Sequence, residues 1–275
     1  MVSRMREFPI ECKTLMTKSK IASLDYAVNP YFGCQHGCVY CYATFMARFR
    51  DIEDEWGSFV GIKRNAPEVL RREIPRRAPG VVSFGTVCDA YQAVEGRLGI
   101  TRACLEAFVG AEGFEVGVLT KSDLVVRDTD VLAKLPGASA GFSITTLDRE
   151  LAGVFEPGAP GPSRRLAAMR DLASAGVPVW GFFGPVLPCF TDTEDDIEEM
   201  LRAMKDAGAD RVLVDAMNLY PGVRRSVRSL IARALPSHLG AFDAVRRDHG
   251  RYLRELSERV EAVATGIDIE VDVCF

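Results

Sequence analysis

From Val81 to Val273 short apolar runs alternate with amphipathic segments, and that alternation restricts the fold more than any other feature of the chain. Five runs read as buried strands: VVSFGT (81–86), EVGVLT (115–120), ASAGFSITT (138–146), VPVWGFFG (177–184) and RVLVDAM (211–217). An earlier strand is expected over Leu24–Val28, and IDIEVDV (267–273) reads as a closing edge strand. Helical patterns fill the gaps at 101–113, 128–135, 162–176 and 193–208, and two more follow near 223–234 and 240–264. Thr193 is placed to cap the fourth of these, with acids in its first turn that suit the helix dipole. Asn65-Ala-Pro-Glu reads as the start of a separate helix over 68–77. Strands alternating with helices give parallel βαβ units, and right-handed crossovers curl them in one direction. The expected fold class is α/β: an incomplete α/β barrel with extra C-terminal helices and a terminal strand. One domain over 1–275 is expected, with its core at about 24–220 and a helical extension at about 221–275. In such barrels chemistry gathers where strands end at their C-termini.

One loop lies where that rule places it. Asn29–Ala43 reads NPYFGCQHGCVYCYA, with Cys34, Cys38 and Cys41 at C-x3-C-x2-C spacing. A closed 4Fe–4S cluster takes four Cys ligands, so three leave one iron open to a ligand from outside the protein. Gly33 and Gly37 permit the tight turns that bring the thiols together. Tyr40 and Tyr42 flank the last cysteine. The alternative is a zinc knuckle completed by His36 or a distant Cys, although zinc sites usually draw on two separated ligand pairs. His36 has two readings, a hydrogen bond to the cluster or a solvent-facing loop position.

This stretch resembles the radical S-adenosylmethionine (radical SAM) superfamily, in which the open iron binds the amino and carboxylate groups of SAM. The resemblance implies a 4Fe–4S cluster, SAM and a 5′-deoxyadenosyl radical, with an electron from a reductant such as flavodoxin or ferredoxin. Further runs, DAYQAVEGRLGITRACLE, TKSDLVVRD and FEPGAPGPSRRLAAMRDLASAG, are similar to the spore photoproduct lyase-related group of that superfamily, from about Asn29 to about Pro188. The group has a partial (β/α)6 TIM-like barrel. By order and spacing Lys121 and Ser143 resemble its SAM-carboxylate contacts, with Thr145 beside Ser143 at the strand end. Glu156 and Arg165 fit its EP…RL segment, to bind the SAM ribose or to pair with each other. The backbone near Gly181 and Phe182 is expected to meet the adenine, and Tyr40 the cofactor. Cys88 lies close to the group's hydrogen-atom donor, with Tyr40 and Tyr42 as relay tyrosines; its alternative is a buried small apolar side chain. Asp89, Tyr91, Gln92 and Glu95 are candidates for the substrate cavity, and Arg127 with Asp128 for a local ion pair. Cys12, Cys104, Cys189 and Cys274 read as core or incidental.

Composition limits the partners. With 275 residues, 48% hydrophobic and 26% charged, the chain is of globular type and long enough for a large core. No apolar run approaches the ~20 residues of a membrane span. The N-terminus lacks the continuous apolar stretch of a secretory signal, and eight cysteines show no disulfide-framework spacing, so a reducing cytoplasm is expected. Net charge is −4, which argues against tight non-specific duplex binding. Arg224, Arg225 and Arg228 form the densest late basic cluster and read as a solvated helix face. The resemblance leaves lesion repair, RNA modification and small-metabolite chemistry open. A non-catalytic zinc or electron-transfer protein is the alternative from another class.

Overall fold

The computed structural model describes residues 5–21 and 23–275. Eleven strands are present: β1 (Arg6–Pro9), β2 (Met16–Lys18), β3 (Tyr26–Val28), β4 (Tyr31–Phe32), β5 (Phe59–Ile62), β6 (Val81–Phe84), β7 (Glu115–Thr120), β8 (Ser139–Ser143), β9 (Val179–Val186), β10 (Arg211–Ala216) and β11 (Glu270–Val273). Eight form one sheet in the order β11-β10-β9-β8-β7-β6-β3-β2. Pairing is parallel from β3 through β11, and only β2 runs antiparallel. The six central strands, β3 and β6 to β10, make the expected partial (β/α)6 barrel, with β11 on its edge as expected.

Register explains the two faces of the sheet. Side chains alternate along a strand, so residues paired across the ladder share a face. Ala27, Ser83, Gly117 and Ser139 pair in succession on one face, joined by Gly141, Ser143, Trp180, Phe182 and Leu213. These are mostly small or polar, and Trp180 fills the space that they leave. A Cβ on Gly141 would sit 2.3 Å from the Trp180 ring. The other face carries Val82, Phe84, Val116, Val118, Phe142, Phe183, Val212 and Val214, all buried. It packs under the helices, with Met204 of the helix Glu194–Asp206 against Gly181. Thr193 caps that helix in a reciprocal capping box with Asp196, as the sequence predicts.

Several local expectations are corrected. Asn65 does not cap the helix Ala66–Glu73; its side chain instead brackets Cys12, accepting from the backbone N–H at 3.1 Å and donating to the carbonyl at 2.9 Å. The last long helix is broken at Asp248 into Leu239–Arg247 and His249–Ala264, because Asp248 leaves helical geometry to cap the second piece. The segment after the cysteine loop is 3-10 over Tyr42–Arg50. A helix over Arg149–Phe155, capped by Asp148, was not expected. Nor was the small sheet β1-β5-β4, whose strands of two to four residues are too short for periodicity to show.

Asp215, on β10, shares the small-residue face with Leu213. Burial pushes its carboxyl up to about 6, and the Ala216 backbone N–H offsets this in part. The folded value lies above the unfolded one, so the native state holds the proton more tightly and stability falls as pH rises from about 4 to about 6. Asp215→Asn is expected to flatten that slope. Allowing for solvent screening, it should raise stability at pH 7–8 by about 1–2 kcal/mol. Urea denaturation from about pH 4 to about pH 8 measures both effects.

Candidate active site

The cysteine loop leaves β4 and is fixed by backbone contacts that only glycine allows. Gly33 has φ 78°, and a Cβ there would stand 2.6 Å from the Phe59 ring. Gly37 (φ 60°) lies on Gly57 (φ 99°), where a Cβ would come 2.7 Å from the Gly37 Cα. The loop after β6 clamps it from the other side. Gln92 Oε1 accepts from the Gln35 N–H at 2.9 Å, its Nε2 donates to the Gly33 carbonyl at 3.2 Å, and Gln35 Oε1 accepts from the Val94 N–H at 2.6 Å. Gln92 therefore holds the loop in place.

The three thiols are free of disulfides; Cys34 and Cys38 are buried and Cys41 is partly exposed. The Asp89 backbone N–H faces the Cys34 sulfur, and the Ala43 and Thr44 backbone N–H groups face that of Cys41. Trp56 Nε1 is buried without a nitrogen or oxygen partner and also faces Cys41. Burial, then neighbouring negative charge, pushes the Cys34 thiol well up and that of Cys38 up to about 12. N–H donors at the Cys34 and Cys41 sulfurs suit thiolate ligands of an iron–sulfur cluster, and loading would take the thiol protons off. Among the described residues, no three His, Cys, Asp or Glu groups gather about one metal-ion position. His36, the expected fourth ligand of the zinc alternative, is buried and sets Nδ1 3.3 Å from Asp89. It is not a solvent-facing loop residue.

Beside the loop six of the candidate residues converge. Glu156, wholly buried, accepts hydrogen bonds from the Tyr40 hydroxyl, from Thr145 Oγ1 at 3.1 Å and from Arg165 Nη2 at 2.5 Å. Lys121 Nζ lies 3.3 Å from Glu156, donates to Ser143 Oγ and sits 5.7 Å from the centre of the Tyr40 ring. Burial opposes ionisation of Glu156, but Lys121, Arg165 and Tyr40 together outweigh it and hold the carboxyl at about 2. Arg165 is fully committed, with Nε on the Pro160 carbonyl at 2.7 Å and Nη1 on the Ser143 carbonyl at 3.0 Å. Phe182 is in register with Ser143 and leaves β9 on the same face.

Other candidates lie apart. Cys88 is buried, its S–H directed at the Tyr31 carbonyl at 3.4 Å, with Asn29 Oδ1 at 3.6 Å. Tyr42 lies on the Cys88 side, its hydroxyl on the Thr86 carbonyl, and so is separated from Tyr40. Glu95 does not face a cavity: wholly buried, it accepts from the Tyr31 hydroxyl and the Thr101 N–H and pairs with Arg127 at 2.7 Å. Arg127 and Asp128 pair as expected, at 2.7 Å. Asp89 is a hub, accepting from Thr120 Oγ1 and the Lys121 and Tyr91 N–H groups at 2.7–2.8 Å. It orients the stem of Lys121. Sequence reasoning placed Asp89 and Gln92 near the site but not their partners, and missed Trp56, which belongs to no motif.

Comparison with known proteins agrees with this geometry. The family model described as the radical SAM superfamily matches residues 28–204. An uncharacterised protein of Methanocaldococcus jannaschii is 32% identical over 199 residues, covering 72% of this chain and 74% of its own length. Another, from Mycobacterium bovis, is 31% identical over 252 residues, covering 88% and 74%. Among solved structures, a spore photoproduct lyase variant with bound AdoMet and dinucleoside spore photoproduct superposes with a TM-score of 0.72 at 17% identity, covering 97% of this chain and 80% of that one. Streptococcus suis SuiB bound to S-adenosylmethionine gives 0.56 at 15% identity, covering 99% and 50%. These two likenesses speak for the fold alone. The family match over nearly two thirds of the chain, with the three-cysteine loop at its start, makes this protein a member of the radical SAM superfamily, whose enzymes use a 4Fe–4S cluster and S-adenosylmethionine.

Proposed function

We propose that this chain is an enzyme that removes a hydrogen atom from an organic substrate, with Cys34, Cys38 and Cys41 holding the cluster. When bound, the cluster and SAM supply one-electron cleavage of SAM to a 5′-deoxyadenosyl radical, the electron coming from a flavodoxin- or ferredoxin-type donor. The observation that carries the reading is the union of two features through Tyr40. That residue sits in the cysteine loop, and its hydroxyl closes the Lys121–Ser143–Glu156–Arg165 network.

Roles follow from what each group has left to give. Arg165 is 1% exposed and each of its three nitrogens is tied to Glu156 or a carbonyl, so it braces the site. Lys121 keeps 13% exposure and carries three donors, of which Ser143 and Glu156 engage two. The third is free for a carboxylate. Glu156 and Asp89 fix the Lys121 head and stem; Thr145 and Tyr40 hold Glu156 still. Phe182 offers an apolar face on the same side of the sheet, suited to a nucleobase. Cys88, shielded and protonated, with burial first among the causes that push its thiol up to about 12, suits a hydrogen-atom donor rather than a thiolate nucleophile. The fold likeness to spore photoproduct lyase does not carry the substrate across.

Two outcomes test this reading. Anaerobic reconstitution should load about four irons per chain and give 5′-deoxyadenosine under dithionite. Replacing all three loop cysteines by Ala should abolish both, and cleavage that survives the triple change refutes the assignment. Lys121→Ala should weaken SAM binding roughly tenfold to a hundredfold, the loss of a charge-assisted hydrogen bond. Lys121→Arg should recover only part of it. Equilibrium dialysis with labelled SAM reads the difference.

A further inference from the structure

A cavity of about 360 Å³ opens beside the cysteine loop, on the β2–β3 side of the barrel. Gly33 and Tyr42, neighbours of Cys34 and Cys41, line it together with Asn29, the half-buried Lys63 and the exposed Lys18 and Lys20. Its volume falls in the range of small-ligand sites.

Lys63 is the unusual group. It is largely withdrawn from water, and its Nζ donates to the Asn29 carbonyl at 2.7 Å. Among the described residues the lysines that form ion pairs are Lys121 and Lys205, so Lys18, Lys20 and Lys63 meet no carboxylate there. Burial first, and to a lesser degree the Arg50 charge, disfavour its ammonium; the opposing neighbours are the Cys88, Cys12 and Cys104 thiols, whose own protons burial holds on. An enclosed cation without a counter-charge is costly. Here it faces a cavity rather than packed apolar side chains, so a ligand can supply the missing charge.

We infer that this cavity binds the substrate by an anionic group, a phosphomonoester on a small molecule, with Lys63 beneath it and Lys18 and Lys20 at its edge. Three ammonium groups and no carboxylate match a dianion better than a single carboxylate, and lysine is a point-charge ligand for phosphate. Asn29 ties the cavity to the chemistry: its carbonyl receives Lys63, and its Oδ1 stands 3.6 Å from the Cys88 sulfur. A substrate anchored on Lys63 would lie beside the cysteine loop, with Asn29 and Tyr31 of the cavity lining between it and the buried Cys88 sulfur. This inference rests on the reading of the site given above.

The test uses the reconstituted full chain, inorganic phosphate as probe, and Lys63→Met. In phosphate-free buffer Lys63→Met should melt no lower than wild type, because it removes an uncompensated charge. Saturating phosphate should raise the wild-type melting temperature by about 3 °C or more and leave the variant unmoved. In wild type it should slow acetylation of Lys63, read by peptide mass spectrometry, several-fold. Equal shifts in both proteins, or acetylation indifferent to phosphate, overturn the inference. Protection by succinate or a single-stranded oligonucleotide but not by phosphate overturns it too. SAM cleavage on the same preparation separates the two readings: cleavage without phosphate binding removes only this one, and phosphate binding without cleavage removes only the radical reading.

Discussion

A single carboxylate sealed from water, that of Glu156, sets the terms for the rest of the site. A buried anion persists only when cations and hydrogen bonds surround it. Arg165 and Lys121 supply charge; Tyr40 and Thr145 supply hydroxyls. Each arrives on a different element: Tyr40 on the cysteine loop, Lys121 after β7, Thr145 after β8, and Arg165 on the helix Pro162–Ser174. One ion therefore couples four segments. Removing Glu156 would leave Arg165 buried with its charge unmatched, which is the costlier half of breaking such a pair. The division of labour follows. The more enclosed cation, Arg165, is the brace, and the less enclosed one, Lys121, retains capacity for a ligand.

The cysteine loop depends on a different kind of constraint. Gly37 and Gly57 meet backbone to backbone, with no room for a Cβ on Gly57. That contact pins the turn before β5, and the adjacent Trp56 indole is held against the Phe59 ring at 5.8 Å with its N–H turned to Cys41. Donors to cluster sulfur act on reduction potential and solvent access, and they lie outside the ligand set. The small sheet β1-β5-β4 thus serves the loop by carrying Phe59, whose ring also fills the space beside Gly33.

Much of this was legible in the sequence, for definite reasons. VVSFGT, EVGVLT and RVLVDAM stand out as short runs rich in β-branched and apolar residues, and in the fold their alternate residues are the ones fully buried under the helices. C-x3-C-x2-C spacing is a local pattern, readable without tertiary structure. Lys121, Ser143, Thr145, Glu156 and Arg165 were found as strand-end or motif residues, and they do converge. What remained hidden depends on contacts far apart in sequence. Asn65 looked like a helix cap, but its amide serves Cys12, 53 residues away. Glu95 looked available for a cavity until Tyr31, 64 residues earlier, and Arg127, 32 later, claimed it. β4 and β5 have too few residues for alternation to register.

Charge distribution adds a last step. The chain is acidic overall, with net charge −4, yet the barrel mouth holds Lys121 and Arg165 on one side of the cysteine loop and Lys63 on the other. Glu156 cancels one of the first pair's two charges from within, which leaves a single net positive charge in that network. Among the described residues Lys63 has no such carboxylate partner. Two cationic sites flank one loop, one half-neutralised from within and the other not. That asymmetry distinguishes the cavity from the network, although both lie beside the same loop, the one through Gly33 and Tyr42 and the other through Tyr40.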